Sequence, residues 1–189
     1  MSDFLTVATV PPIVLGEDLK NYFLEHVKHE CSSGALQRIE ARDIGRVYEV
    51  VKPLHVFKVA VAAECSAFVI VNLVIPVGAM VYARHGLNTL NGLRLHMRKM
   101  RASSAIVHSI RAFNHRQLPS VVSATNIQHI AVRSTPDDSA RSSYDATFKY
   151  ELGKTVTPEG GFCWSDSECA SGIHFFLNLV DALAYTCLV

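Results

Sequence analysis

From Cys65 to Ala83 the chain runs through 19 residues, "CSAFVIVNLVIPVGAMVYA", without one charged side chain. A segment of that kind can leave water in two ways. It can cross a bilayer as a helix, which takes about 20 apolar residues, or it can lie in a protein core as short strands buried on both faces. Asn72, Pro76 and Gly78 fall inside it, Glu64 abuts it, and Val and Ile outnumber Leu. β-branched side chains are stiff at χ1 and favour the pleated conformation. Pro76-Val77-Gly78 is a natural break between two strands. The segment is read as two successive buried strands, with a membrane anchor over residues 65–83 as the alternative.

The same texture continues on both sides. "VYEVV", "HVFKVAVA", "AFVIVNLVI", "AMVYA", "AIVHSI", "VVSA", "NIQHIAV", "TFKYEL" and "IHFFL" all have the length and composition of strands. Short strands at this density predict a mainly β (α+β) chain, a compact antiparallel sandwich or barrel-like domain. Two stretches depart from that pattern. In residues 17–30, Leu19, Tyr22, Phe23, His26 and Val27 recur at helical spacing, and "CSSG" follows as a stop. Ahead of this helix Pro11 and Pro12 force an extended arm. A short last helix is expected at 179–186, "LVDALAYT", with Asn178 as its N-cap. The organisation that follows is an arm and amphipathic helix over 1–50 and a β-rich domain over 51–189.

With 49% hydrophobic and 19% charged residues in 189, a sizeable core is available and disorder is not expected. Met1 to Leu15 has no basic stretch and carries Asp3, Pro11 and Pro12, so no secretory signal is expected. Five cysteines, Cys31, Cys65, Cys163, Cys169 and Cys187, are odd in number and irregular in spacing, which suits free buried thiols better than a disulfide framework.

The net charge of +1 hides an asymmetry. Between Cys65 and Pro136 there is no Asp or Glu, while eight Arg and Lys occur; the segments on either side carry −2 and −5. The basic run "RLHMRKMRASSAIVHSIR" supplies Arg94, Arg98, Lys99, Arg101 and Arg111. It lacks the interleaved aromatic residues of single-strand binders and any DNA-reading motif, so nucleic acid is not the expected partner. Arg and Met are favoured at the centres of protein interfaces. Together with Leu19, Phe23 and Val27 on the amphipathic helix, these residues are the candidates for contact with another protein.

Three stretches carry residue types that could support chemistry. "YELGKTVTP" contains Gly153-Lys154-Thr155, but a phosphate loop needs a glycine five residues earlier, where Phe148 stands. Pro158 would also interrupt the helix that should face the phosphate. "HVKHEC" and "FCWSDSECASGIH" offer His26, His29, Cys31, Cys163, Cys169 and His174 without the paired spacing of a zinc site. Cys169 near His174 lacks a third orienting group. No cofactor, metal or catalytic activity is expected.

Four motifs, in order, carry a resemblance: "NLVIPVGAMVYA" (72–83), "KMRASSAIVHSI" (99–110), "FKYELGKTVTP" (148–158) and "CASGIHFF" (169–176). Together they resemble a poorly characterised domain family of large DNA virus and phage proteins, often found beside pentapeptide repeats, and the resemblance covers about residues 53–186. Asn72 stands where that family usually has Lys, and Met100 where it usually has Cys. Asn178 to Asp181 also differ from its usual helix start. The resemblance marks Gly153, Lys154, Thr155, Gly172, Ile173, His174, Phe175 and Phe176 as fold-signature residues.

For a chain of this size the resemblance implies an iridovirus-like minor capsid protein on the inner face of the capsid, made in the host cytoplasm. It would bridge capsomers or facets by contact with the major capsid protein and other minor capsid proteins, as a homodimer or in an array, near the inner membrane. The alternatives are a soluble viral adaptor and a virion membrane protein anchored by 65–83.

Overall fold

The computed structural model describes residues 34–39, 47–63, 67–85, 94–123, 125–128, 130–135, 138–165, 167 and 170–187. The expected helix over 17–30, with Leu19, Phe23 and Val27, and the arm ahead of it lie outside them; of the 1–50 segment, residues 34–39 and 47–50 are described. The described chain is mainly β, with two antiparallel sheets and a short C-terminal helix.

The first sheet runs in the order β1 (Leu36–Arg38), β2 (Val47–Val50), β5 (Met80–Tyr82), β6 (Met100–Ala102) and β12 (Ile173–Phe175). The second runs β10 (Lys149–Glu151), β9 (Ser139–Arg141), β3 (Leu54–Ala62), β4 (Phe68–Ile75), β7 (Ala105–Phe113) and β11 (Thr155–Val156), with β8 (Val132–Ser134) beside the far end of β7. The described part of the apolar segment, residues 67–83, carries β4 and β5, joined through Pro76 to Ala79, with Gly78 at φ +83°. Among the described residues no helix is long and apolar enough to cross a membrane.

The sequence of β4 runs almost continuously apolar because both faces of the second sheet are covered. On the inner face Leu54, Val56, Val71, Leu73 and Val107 meet Val50, Val81, Met100 and Phe175 of the first sheet. On the outer face Phe57 and Ile70 pack under Ile127, Ile130 and helix α1 (Leu179–Thr186), through Leu179, Ala182 and Leu183. Strands buried on both faces lose the apolar–polar alternation of half-exposed ones.

The connection between β10 and β11 sets the curvature. These strands stand at opposite ends of the strand order, yet only Leu152, Gly153 and Lys154 separate them. The edges of the sheet must come together to be joined by three residues, and the sheet is curled into a half-barrel. Leu152 N–H donates to the Asp138 carbonyl on one side at 2.8 Å, and Gly153 N–H donates to the Val107 carbonyl on the other, also at 2.8 Å. Gly153 has φ +74°, open to glycine at no steric cost. The Gly-Lys-Thr stretch is therefore the seam of the half-barrel, with Lys154 and Thr155 exposed.

Helix α1 begins as expected, with the Asn178 side chain accepting from Asp181 N–H at 2.8 Å, a cap worth about 1 kcal/mol. Two expected strands are corrected. Val121 to Ser123 of "VVSA" are loop, with Val121 exposed, and among the described residues of "NIQHIAV" only Val132 enters a strand. Ile127 and Ile130 are apolar because they cover the outer face, not because they pair.

Candidate functional site

Among the described residues the two sheets are joined by a backbone bridge at Phe176, and the groove opens beside it. β12 pairs with β6, and then Phe176 crosses to β3, exchanging both backbone bonds with Phe57 at 2.8 Å. Four residues further along β3, Val61 pairs with Arg141 of β9. Between these points β12 departs toward the first sheet. On the other side the chain after β9 turns toward β10, where Ser142 N–H donates to the Phe148 carbonyl at 3.0 Å. The edge of β3 from Lys58 to Ala60 faces the opening so formed.

Two lobes meet there, of about 350 Å³ and about 270 Å³, sharing Lys58, Ser142, Tyr144 and His174 in their walls. The larger lobe has an apolar floor of Val59, Val61 and Phe68, with Phe176, Ala182 and Tyr185 opposite and Lys99 at its side. The smaller lobe reaches toward Tyr150, Ile173 and Gly172 and carries Asp145 and Glu159. Asp145 accepts from the Thr147 hydroxyl at 2.6 Å and from Thr147 N–H at 2.9 Å, and these bonds hold its carboxyl below the ordinary range.

Lys58 is out of place for its position. Its β3 neighbours on the same face, Leu54, Val56, Ala60 and Ala62, are all buried in the inter-sheet core. Its ammonium lies 5.9 Å from the centre of the Tyr150 ring. Burial, and then the charge of Lys99, push its amine down from 10.5 to about 8. Burial likewise holds the Tyr150 phenol well above its ordinary range. Lys99 reaches the Tyr185 hydroxyl at 3.4 Å and lies 5.3 Å from that ring's centre and 5.9 Å from that of Tyr144. The two phenol oxygens are 3.0 Å apart. The arrangement combines two like-charged amines, aromatic faces and an apolar floor, which suits an anionic group carried on an apolar body.

The other basic residues are placed differently. Arg94 is exposed at the start of a 3₁₀ turn over Leu95–Arg98. Arg98 pairs with Asp181 at 2.9 Å, and Arg111 donates to the Ser134 hydroxyl at 2.5 Å. Arg101, expected to face a partner, is instead buried. It donates to the Ser165 carbonyl and to the Ser167 carbonyl (2.6 Å) and stacks on Tyr82 at 4.6 Å. The basic run is not one outward surface, because β6 turns Arg101 toward the Ser165 and Ser167 carbonyls; of its members, Lys99 reaches the groove.

The signature residues divide in the same way. Ile173 and Phe175 are buried between the sheets, Phe176 stacks on Tyr185 at 5.2 Å, and His174 lines the groove. Gly172 serves a close approach rather than a turn, since a Cβ there would sit 2.9 Å from the Cβ of Arg101. Cys163 is half-buried and Cys187 exposed, both free; hydrogen bonding with Ser165 lowers the Cys163 thiol's pKa, with a smaller contribution from Arg101. Among the described residues no cluster of His, Cys, Asp and Glu could hold a metal ion.

Sequence reasoning singled out Lys99 and His174 but missed Lys58, Tyr144 and Tyr185. Lys58 had a signal: it is the single charge in the L-V-K-A-A phase of β3.

A family model described as a family of unknown function (DUF5758) matches residues 49–182. No curated protein and no solved structure matches the chain.

Proposed function

This chain belongs to the family of unknown function DUF5758, and from that premise we propose that it is a structural docking protein and not a catalyst. In this reading it is a minor capsid protein of a large icosahedral DNA virus, bridging capsomers or facets by gripping neighbouring chains. The observation that carries the docking role is the groove itself. Lys58 and Lys99 repel each other across an aromatic, apolar cleft, and a protein keeps such a pair at a cost in stability that a bound anionic group offsets.

The virion setting is supported by the ordered motifs, above all "FKYELGKTVTP" followed by "CASGIHFF". The first forms the seam of the half-barrel and the second forms the join between the sheets, so both specify one scaffold. Grip by many modest contacts suits a lattice, where each further contact is effectively intramolecular.

The test is the protein content of purified particles stripped of their outer layers. The chain is expected to stay with the capsid fraction in a fixed ratio to the major capsid protein. Its recovery only in the infected-cell supernatant would remove the capsid reading.

A further inference from the structure

The strand edge inside the groove offers backbone groups as well as side chains. In an antiparallel ladder, alternate residues turn N–H and C=O to opposite sides. Phe57 bonds Phe176, and Ala63 N–H donates to the Ser139 carbonyl at 3.3 Å, so the odd-numbered residues at this end of β3 face away from β4. Ala62 N–H, on the even phase, bonds the Ala67 carbonyl at the β4 side. Val59 therefore presents its N–H and C=O to the opening, between the Phe57–Phe176 bridge and the Val61–Arg141 pair. The stretch of β3 between those two pairs is about 13 Å long, enough for a few residues of added strand.

We propose that the groove receives an extended acidic segment of a partner protein, which pairs with Val59 as a short added strand and sets one carboxylate against Lys58 and Lys99. The proposal rests on the docking reading above and names the chemistry of the partner. Strand addition draws affinity from the backbone and specificity from alternate side chains. Here a carboxylate on the inner phase of the added strand meets Lys58, while its neighbours on the other phase meet Val61, Phe68 and Phe176. Asp145 and Glu159 in the smaller lobe repel a second acid, so the segment carries one acidic residue between uncharged ones.

The test uses the purified full chain and three synthetic probes, with binding followed by calorimetry. The first is the blocked peptide acetyl-Val-Thr-Glu-Thr-Val-amide. The second replaces its Glu by Lys, and the third carries N-methyl groups on both Thr residues, removing the N–H donors that would face Val59. The second and third are each expected to bind at least about ten-fold more weakly than the first. Lys99→Glu is expected to abolish the preference between the first two, because Lys58 then faces a carboxylate and the pair carries no net charge. If that variant fails to fold, Lys99→Gln, which removes one of the two charges and leaves Lys58, is expected to weaken the preference for the acidic probe at least about three-fold without abolishing it.

Equal binding of the acidic and basic probes, undiminished binding after N-methylation, or no binding by any probe would overturn the proposal. The outcomes separate from those of the capsid test. Probe binding by a chain absent from particles would leave this site standing and remove the virion reading; a particle-bound chain indifferent to the probes would do the reverse.

Discussion

Gly172→Ala is expected to destabilise the fold by about 3 kcal/mol and to lower the melting temperature by roughly 6–12 °C. The added methyl would sit 2.9 Å from the Cβ of Arg101, 3.2 Å from its Cδ and 3.3 Å from its Cγ. A flexible side chain could swing away, but Arg101 is held at both ends. Its backbone pairs with His174 in the β6–β12 ladder, and its guanidinium is fixed by the carbonyls of Ser165 and Ser167 and by the Tyr82 ring. Relief therefore requires either opening the ladder or pulling a buried charge off its hydrogen bonds, and each costs a few kcal/mol. The glycine's φ of +157° adds strain for any side chain. Thermal unfolding followed by circular dichroism measures the effect, and a variant within about 2 °C of the parent would show that β12 is not clamped in this way.

Lys58→Met should act in the opposite direction, raising stability at pH 7 by about 3 kcal/mol. The amine's pKa falls from 10.5 unfolded to about 8 folded. Below pH 8 both states carry the proton and the folded state bears the full penalty of the buried charge. Between pH 8 and 10.5 the unfolded chain holds more protons than the folded one, so stability rises with pH there. Above 10.5 both amines are neutral and the penalty is gone. Urea denaturation across that window should show the parent gaining on the Met variant, with the gap closing by pH 10.5. A constant gap, or a variant less stable at pH 7, would mean that Lys58 is not desolvated. The same substitution removes the charge that the docking reading needs, so stability and binding are expected to move in opposite directions.

The strands were legible in the sequence because β-branched residues fill both faces of β3, β4 and β7, and the C-terminal helix because Asn178 stands at its start. Loop burial was not legible. Ile127 and Ile130 carry the composition of a strand but serve as a cover, and single-chain periodicity does not separate the two. β6 was hidden inside a basic run, since a buried Arg101 looks like a surface one until Gly172 is seen to lie against it. The groove was legible only in fragments. Lys58 could have been found as a charge in a core phase, but Tyr144 and Tyr185 are 41 residues apart and meet only through the fold. The seam at Gly153 was recognisable as a marker of the scaffold. That it joins the two ends of one sheet follows from the strand order, which local sequence does not encode.

In the proposed role, the cleft holding Lys58 and Lys99 grips a neighbouring chain through that neighbour's carboxylates. Zero-length carbodiimide coupling on purified particles tests it most directly, because it joins amines only to carboxylates already in contact. The chain has seven lysines, and Lys52, Lys149 and Lys154 are exposed while Lys58 and Lys99 are half-buried. Interchain links are expected at Lys58 and Lys99 in preference to the exposed three, and they should disappear at Lys99 in the Lys99→Gln chain. Links confined to Lys52, Lys149 and Lys154, with Lys58 and Lys99 unmodified or joined only within their own chain, would contradict the claim.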